Sequence, residues 1–221
     1  MNGELNMNKA VVFDMDGTLL RTELILESSL TKTLKELDTR SILYVENPVE
    51  KYKEIMGVTL EEVWRNLLIS PKEDTIRLAN DIFQGQLISC INTGSSKLYD
   101  GATETLASIK SKGYRIFVAS NGDQSYLDAI FNHHNLARFI TSVHSINGVQ
   151  SLDKSDLVEY IIESENVDAK YMVGDRLSDI KAGRENNLQV IGCNFYFAKD
   201  EELEKADYVI DSLKELVQII I

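Results

Sequence analysis

The run Phe13-Asp14-Met15-Asp16-Gly17-Thr18-Leu19 directly continues the apolar stretch Ala10-Val11-Val12-Phe13, and this junction decides the fold class. A short apolar run that ends in turn residues indicates a strand buried on both faces. Four later runs repeat the pattern: Arg115-Ile116-Phe117-Val118-Ala119, Tyr171-Met172-Val173, Val190-Ile191-Gly192-Cys193 and Tyr208-Val209-Ile210. Helical patterns near 102–112, 124–134, 154–164, 178–186 and 212–220 alternate with them. This alternation predicts an α/β fold with a doubly wound parallel sheet.

Residues 23 to about 88 interrupt the alternation, because their pattern is helical throughout. Thr59-Leu60-Glu61-Glu62 has the form of a capping box, and Ser70-Pro71 separates two helices. We therefore expect a core domain of residues 1–20 and 93–221, with an α-helical domain of residues 21–92 inserted after the first strand. Doubly wound sheets bind ligands at the carboxyl ends of their strands, so this insert has the position of a lid.

Composition excludes several classes of protein. The chain has 221 residues and a formal net charge of −12, which disfavours nucleic acid and anionic membrane surfaces as partners. Any anionic ligand must therefore be attracted by local cations. The two cysteines are distant and lack metal-ligand spacing, which favours a reducing, cytoplasmic location. Residues 1–8 are polar, and no apolar run approaches the roughly 18 residues of a membrane span, so we expect neither signal peptide nor anchor.

Asp14 and Asp16 are two carboxylates separated by one residue at the end of the first predicted strand. Two like charges about 4 Å apart repel by roughly 4 kcal/mol at an effective dielectric constant of 20. The pair therefore needs a cation or a shared proton, and Mg²⁺ suits such oxygen ligands. The alternatives are a solvated acidic turn and a calcium loop, although a calcium loop has its glycine two positions later.

Three further polar segments follow predicted strands or begin predicted helices. Ser120-Asn121 lies where free backbone N–H groups suit a phosphate, although a plain helix cap has the same residues. Lys154 lies in the first turn of a predicted helix, where its positive charge opposes the helix dipole. Two interpretations stay open: a lysine with a function in the site, and an ordinary solvated lysine. Asp175 follows a buried strand, and Asp179 comes four residues later as a first-turn acid or a site residue.

Taken together, Asp-x-Asp-Gly-Thr at 14–18, Ser120-Asn121, Lys154 and Gly-Asp-x-x-x-Asp at 174–179 resemble the motifs of the haloacid dehalogenase superfamily. The similarity points to its phosphoglycolate phosphatases and 5′-nucleotidases, and the helical insert resembles the cap of subclass I. This resemblance implies a Rossmann-like core, a Mg²⁺ cofactor and hydrolysis of a small phosphorylated metabolite through an aspartyl phosphate. Halide-removing members lack a carboxylate at the position of Asp16, so its presence favours phosphate esters.

The resemblance also implies roles for the four aspartates. Asp14 would be the nucleophile, and Asp16 would act as general acid and then as general base. The Asp14 carboxylate, the backbone carbonyl of Asp16 and Asp175 would hold Mg²⁺. Asp179 would orient the metal shell or Lys154.

The phosphoryl group and the leaving group would have separate binding residues. By the same resemblance, Ser120, the backbone N–H of Asn121 and Lys154 would bind the phosphoryl oxygens. The residues expected near the leaving group belong to the insert and its hinge: Arg21, Lys53, Met56 and Gly57.

Two other functions stay open. A sugar-phosphate mutase of the β-phosphoglucomutase type would carry a basic residue at about the position of Glu54. This chain has an acidic residue there, with Lys53 beside it, and the difference favours a hydrolase. A non-catalytic binding protein on the same fold is the other alternative. The sequence is compatible with a monomer or a homodimer.

Overall fold

A computed structural model describes residues 8–221, so the expectation about the polar amino terminus falls largely outside the described residues. One parallel sheet has the strand order β3-β2-β1-β4-β5-β6. Its strands are β1 (Lys9–Phe13), β2 (Arg115–Ser120), β3 (Ser142–Ser145), β4 (Asp168–Gly174), β5 (Gln189–Cys193) and β6 (Tyr208–Ile210). This architecture confirms the predicted fold class.

Helices cover both faces of the sheet, and the buried side chains of β1, β2 and β4 alternate between two apolar layers. Val11 and Phe13 of β1 belong to the larger layer, whereas Ala10 and Val12 pack in the second layer. The helices outside the insert are α5 (Ala102–Ser111), α6 (Gln124–His133), α7 (Lys154–Ser164), α8 (Leu177–Glu185), α9 (Asp200–Leu203) and α10 (Leu216–Ile219). No helix within residues 8–221 is long and apolar enough to cross a bilayer.

The structure contains two elements that the sequence did not predict, β3 and the short α9, and it divides one predicted helix. Strand β3 was not expected, because Ser142-Val143-His144-Ser145 is a half-buried edge strand and lacks the continuous apolar run of a central strand. The helix expected over 212–220 is divided into a 3₁₀ turn, Leu213–Glu215, and the short α10. The last turn ends where Lys112 Nζ donates to the carbonyl oxygens of Val217 and Ile220, each at 2.6 Å.

The segment between β1 and α5 contains four helices, which we call the insert helices: α1 (Glu23–Thr39), α2 (Pro48–Ile55), α3 (Leu60–Leu67) and α4 (Glu73–Asn92). The Thr59 hydroxyl accepts a hydrogen bond from the Glu62 N–H at 3.4 Å, as the capping pattern predicts. Trp64 of α3 and Phe83 of α4 meet edge to face with ring centroids 5.6 Å apart, and both belong to the larger apolar layer that also contains Val11 and Phe13. The division into two domains stays a prediction.

Candidate active site

The predicted site residues converge because of the strand order. Strand β1 lies between β2 and β4, and Phe13 is in register with Val118 of β2 and Val173 of β4. The residues that follow these three strand ends therefore meet at the carboxyl edge of the sheet. Asp14, Ser120 and Asp175 occupy this edge, and each is buried.

Lys154 joins two of the aspartates. Its Nζ atom donates to Asp14 Oδ1 at 2.7 Å and to Asp179 Oδ1 at 2.6 Å, and its side chain is only 4% exposed. Burial raises the pKa of Asp14 to about 7, although the Lys154 ammonium acts in the opposite direction. Burial alone would lower the pKa of Lys154, but the two carboxylates outweigh it and raise that pKa. Lys154 is therefore charged at neutral pH.

Asp14, Asp175 and Asp179 form a buried acidic cluster, in which one carboxylate oxygen of each residue lies within 4.8 Å of the others. Asp175 Oδ1 accepts from the Thr18 hydroxyl at 3.1 Å, whereas Asp175 Oδ2 is buried and has no hydrogen-bond partner in the described chain. Burial, together with Asp14 and Asp179, raises the pKa of Asp175 well above its usual range. An unpaired carboxylate oxygen beside two other carboxylates is a donor set that fits a hard divalent cation.

Asp179 differs from the other two members of the cluster, because both of its oxygens already have partners. Oδ1 accepts from Lys154, and Oδ2 accepts from the backbone N–H of Arg176 at 3.0 Å. This arrangement turns one carboxylate oxygen towards Lys154 and the other towards the Arg176 backbone, and the expected role of Asp179 at the metal shell or at Lys154 stays a prediction.

Gly17 permits the close approach of Asp175. Its φ of +79° lies in the left-handed region, and a Cβ at this position would collide with the Asp175 carboxylate. The glycine of the Asp-x-Asp-Gly-Thr motif is therefore required by backbone conformation and by space.

Asp16 is held by two hydroxyl groups that the sequence did not single out. Tyr126 OH and Thr22 Oγ1 both donate to Asp16 Oδ1, at 2.6 and 2.7 Å. Burial raises the pKa of Asp16, and these two hydrogen bonds oppose the shift. Because both donors use Oδ1, a proton on the neutral carboxyl group belongs on Oδ2.

Ser120 is the last residue of β2, and Asn121 follows it in the loop before α6. Ser120 Oγ accepts from the backbone N–H of Gly122 at 3.0 Å. The Asn121 side-chain amide donates to the carbonyl oxygen of Gly57 at 2.7 Å, and Gly57 belongs to the loop between α2 and α3. Asn121 thus connects the sheet edge to the insert helices.

A cavity of about 60 Å³ lies between the sheet edge and the insert helices. The insert contributes a largely apolar surface, and the sheet edge contributes the charged groups. The lining residues from the insert include Leu26, Tyr52, Met56, Gly57, Val58, Leu60 and Leu87, and those from the sheet edge include Asp14, Asp16, Ser120, Asn121, Lys154, Arg176 and Asp179.

Of the expected leaving-group residues, the structure brings Met56 and Gly57 to this cavity but not Arg21 and Lys53. Arg21 Nε donates to Glu23 at 2.8 Å, and its guanidinium lies over the Tyr99 ring. Lys53 Nζ lies 3.8 Å from Glu27, on the outside of the insert. Arg176 does line the cavity; it stands inside the Gly-Asp-x-x-x-Asp motif, but the resemblance gives it no role.

Known proteins resemble this chain in sequence and in fold. The chain is 29% identical to the crystal structure of a predicted phosphatase from Clostridium acetobutylicum, with a TM-score of 0.78 and coverage of 96% of this chain and 97% of that one. It is 24% identical to a phosphoglycolate phosphatase from Nitrosococcus oceani, over 98% of each chain. A 5′-nucleotidase from Pseudomonas aeruginosa is also 24% identical, over 49% of this chain and half the length (50%) of that protein.

The family model for haloacid dehalogenase-like hydrolases matches residues 11–193. The matched range runs from β1 to the end of β5 and includes every expected site residue. The chain therefore belongs to the haloacid dehalogenase-like hydrolases, which confirms the resemblance found in its motifs.

Proposed function

We propose that this protein is a Mg²⁺-dependent phosphatase that hydrolyses a small phosphomonoester through an aspartyl phosphate on Asp14. The observation that carries the proposal is the buried group of Lys154 between Asp14 and Asp179, with Asp175 in the same cluster. The proposal includes a helical cap of residues 21–92 and a core of residues 1–20 and 93–221. The two free, buried cysteines support a cytoplasmic location.

The metal would be held by Asp14, Asp175 and the backbone carbonyl of Asp16. When bound, Mg²⁺ supplies positive charge that neutralises the phosphoryl oxygens and the carboxylates around them. The unpaired Asp175 Oδ2 supports this assignment, since it has no hydrogen-bond donor of its own among residues 8–221.

In the first chemical step, an oxygen of the Asp14 carboxylate attacks phosphorus and the bond from phosphorus to the leaving alcohol breaks. Asp16 Oδ2 gives its proton to the departing alkoxide oxygen. In the second step, Asp16 takes a proton from water, which attacks the aspartyl phosphate and releases inorganic phosphate and the Asp14 carboxylate. The raised pKa of Asp16 supports its role as the acid, because a neutral carboxyl group is needed at the start.

The phosphoryl group would be bound at the beginning of α6 and α7. Ser120, the backbone N–H of Asn121 and the Lys154 ammonium are the proposed donors. Phosphoryl transfer depends mainly on positioning and on charge neutralisation, and a helix start with a buried lysine provides both. The small cavity supports a compact metabolite as the substrate.

Metal removal tests this proposal. We expect the protein to release phosphate from p-nitrophenyl phosphate with Mg²⁺, to lose at least about 99% of this activity with EDTA, and to recover it when Mg²⁺ is returned in excess. Phosphate release would be measured with a colorimetric assay for inorganic phosphate. Turnover that persists in EDTA, after dialysis against a chelating resin, would contradict the metal requirement.

Tyr126→Phe tests the positioning of Asp16. The variant removes one of the two donors to Asp16 Oδ1, so we expect kcat to fall about 10-fold with a smaller change in KM. The matched control is Tyr114→Phe, which removes the hydroxyl that donates to the carbonyl oxygen of Ile221. That control should keep the kcat of the unmodified protein. An unchanged kcat in Tyr126→Phe would show that Thr22 alone positions the acid.

A further inference from the structure

The insert side of the cavity carries no charged side chain among the described residues. The insert helices and the loop between α2 and α3 contribute one polar side chain to the lining, that of Tyr52 in α2. Their other lining residues are Met56, Gly57 and aliphatic side chains such as Leu87. A leaving group held against this surface therefore meets no fixed charge from the insert.

The cations of the cavity are already paired. Among the described lining residues these cations are Lys154 and Arg176. Lys154 is paired with Asp14 and Asp179. Arg176 Nε and Nη2 donate to the two carboxylate oxygens of Glu202, at 3.1 and 3.4 Å. Because burying an anion without a partner is costly, a carboxylate or a second phosphate on the leaving group is disfavoured here.

The Tyr52 hydroxyl is a polar group that the proposed mechanism does not use. Tyr52 is 4% exposed, and no hydrogen bond joins its hydroxyl to another atom of residues 8–221, whereas the Tyr126 hydroxyl donates to Asp16. Fully buried polar atoms without a partner, such as Asn121 Oδ1, are sealed from solvent, but the Tyr52 oxygen is not one of them. Since Tyr52 lines the cavity, its hydroxyl is available to a ligand there.

The position of Tyr52 is fixed by packing. Its ring lies against that of Phe83, with centroids 5.6 Å apart. Burial raises the pKa of Tyr52, and the negative charge of Asp16 raises it further, so the hydroxyl is uncharged at neutral pH and lies within range of the proposed acid. A neutral hydroxyl both donates and accepts, and its natural partner is another uncharged oxygen.

The size of the cavity gives an independent limit. Its volume is about 60 Å³, whereas sites that enclose larger organic ligands typically have about 300–1,000 Å³. A leaving group of a few heavy atoms suits this space, and a nucleoside does not.

We infer that the leaving group is a small uncharged alcohol with a second neutral oxygen, which forms a hydrogen bond with the Tyr52 hydroxyl. The substrate is then the phosphate monoester of a short diol or polyol. This inference rests on the proposed phosphatase function and narrows its substrate class. Tyr52 is a specificity residue in this scheme, because it contacts a part of the substrate that a plain alkyl ester lacks.

The experiment compares kcat/KM for four esters: 2-hydroxyethyl phosphate, ethyl phosphate, 2-phosphoglycolate and adenosine 5′-monophosphate. We expect 2-hydroxyethyl phosphate to exceed ethyl phosphate by about 10-fold, the effect of one hydrogen bond. It should exceed 2-phosphoglycolate by at least about 100-fold, because the carboxylate would be buried without a partner. It should exceed the nucleotide by at least about 10-fold, because the nucleoside is too large.

Tyr52→Phe separates the hydroxyl from the rest of the cavity. The variant should bring 2-hydroxyethyl phosphate down to the kcat/KM of ethyl phosphate and leave ethyl phosphate unchanged, since only the hydroxyl is removed. Tyr44→Phe is the matched control on the insert. The Tyr44 hydroxyl donates to Asp38 at 3.2 Å and Tyr44 does not line the cavity, so the ratio of about 10 should persist.

Four results overturn the inference. They are a better kcat/KM for 2-phosphoglycolate or for the nucleotide, equal values for the two neutral esters in the unmodified protein, an unchanged ratio in Tyr52→Phe, and an equal loss on both neutral esters in that variant. Circular dichroism would check that the variant is folded. All four leave the phosphatase proposal intact, whereas failure to hydrolyse any ester, p-nitrophenyl phosphate included, would reject both.

Discussion

Replacing Asp14 by asparagine should abolish phosphate release, with kcat on p-nitrophenyl phosphate reduced by at least about 10⁴-fold. The amide has nearly the shape of the carboxylate but cannot attack phosphorus as an anion. Because burial raises the pKa of Asp14, its negative charge is costly in the folded protein, so the neutral variant should remain folded. Circular dichroism and the thermal midpoint would check the fold beside the assay.

Asp156→Asn is the matched control for this substitution. Asp156 is exposed on the first turn of α7, two residues from Lys154, and it makes no side-chain contact with the acidic cluster. We expect full activity in the control. If Asp14→Asn keeps even a tenth of the original kcat, the assignment of Asp14 as nucleophile is wrong.

The second large effect is expected for Lys154→Met, which removes the cation between Asp14 and Asp179. Breaking a buried ion pair typically costs about 3–5 kcal/mol, because the remaining charges lose their partner. We expect a loss of this order in the free energy of unfolding of the metal-free protein at pH 8. The kcat should fall at least about 10³-fold, since the phosphoryl charge also loses its ammonium group.

The stability effect of this variant should depend on pH with a definite sign. The folded-state pKa of Asp14 is about 7, above its usual value of 3.8, so the folded protein binds the proton more tightly than the unfolded chain. The contribution of Asp14 protonation to the free energy of unfolding is fully present below about pH 4 and is lost as pH rises to about 7. Without Lys154 the pKa rises further, so the loss continues to higher pH.

Urea unfolding of the unmodified protein and of Lys154→Met, both free of metal, would measure this difference at pH 5 and pH 8. We expect the difference in unfolding free energy between the unmodified protein and Lys154→Met to be larger at pH 8 than at pH 5. Lys181→Met is a control, because Lys181 is a half-exposed lysine paired with Asp153 on the neighbouring surface. A gap that is equal at both pH values would contradict the charge argument.

Much of the core and of the expected site could be predicted from the sequence, because central strands leave a strong local pattern. The four motif segments each follow a strand or begin a helix, and parallel strands bring their carboxyl ends to one edge. Strand β3 was missed because an edge strand can be polar. Its four residues contain a single apolar side chain, Val143.

The residues that the sequence did not identify act across long separations. Tyr126 reaches Asp16 from a helix 110 positions later, and Glu202 fixes Arg176 from a separate short helix. No local pattern marks such contacts, since they depend on how α6 and α9 pack on the sheet. Arg21 and Lys53 were expected near the leaving group from their positions in the sequence. In the structure, Arg21 pairs with Glu23 and Lys53 lies near Glu27, so neither side chain lines the cavity.

For protein engineering, the close contact of Gly17 with Asp175 means that the sheet-edge side of the cavity tolerates little substitution, whereas the insert side can be varied. Every other amino acid would add a Cβ where the Asp175 carboxylate lies, so a library at this position yields no second solution. The apolar insert side of the cavity has no comparable constraint, because Leu26 and Leu87 line it from separate helices, α1 and α4. A designer seeking a new substrate should therefore vary the residues of the insert side and keep those of the sheet edge.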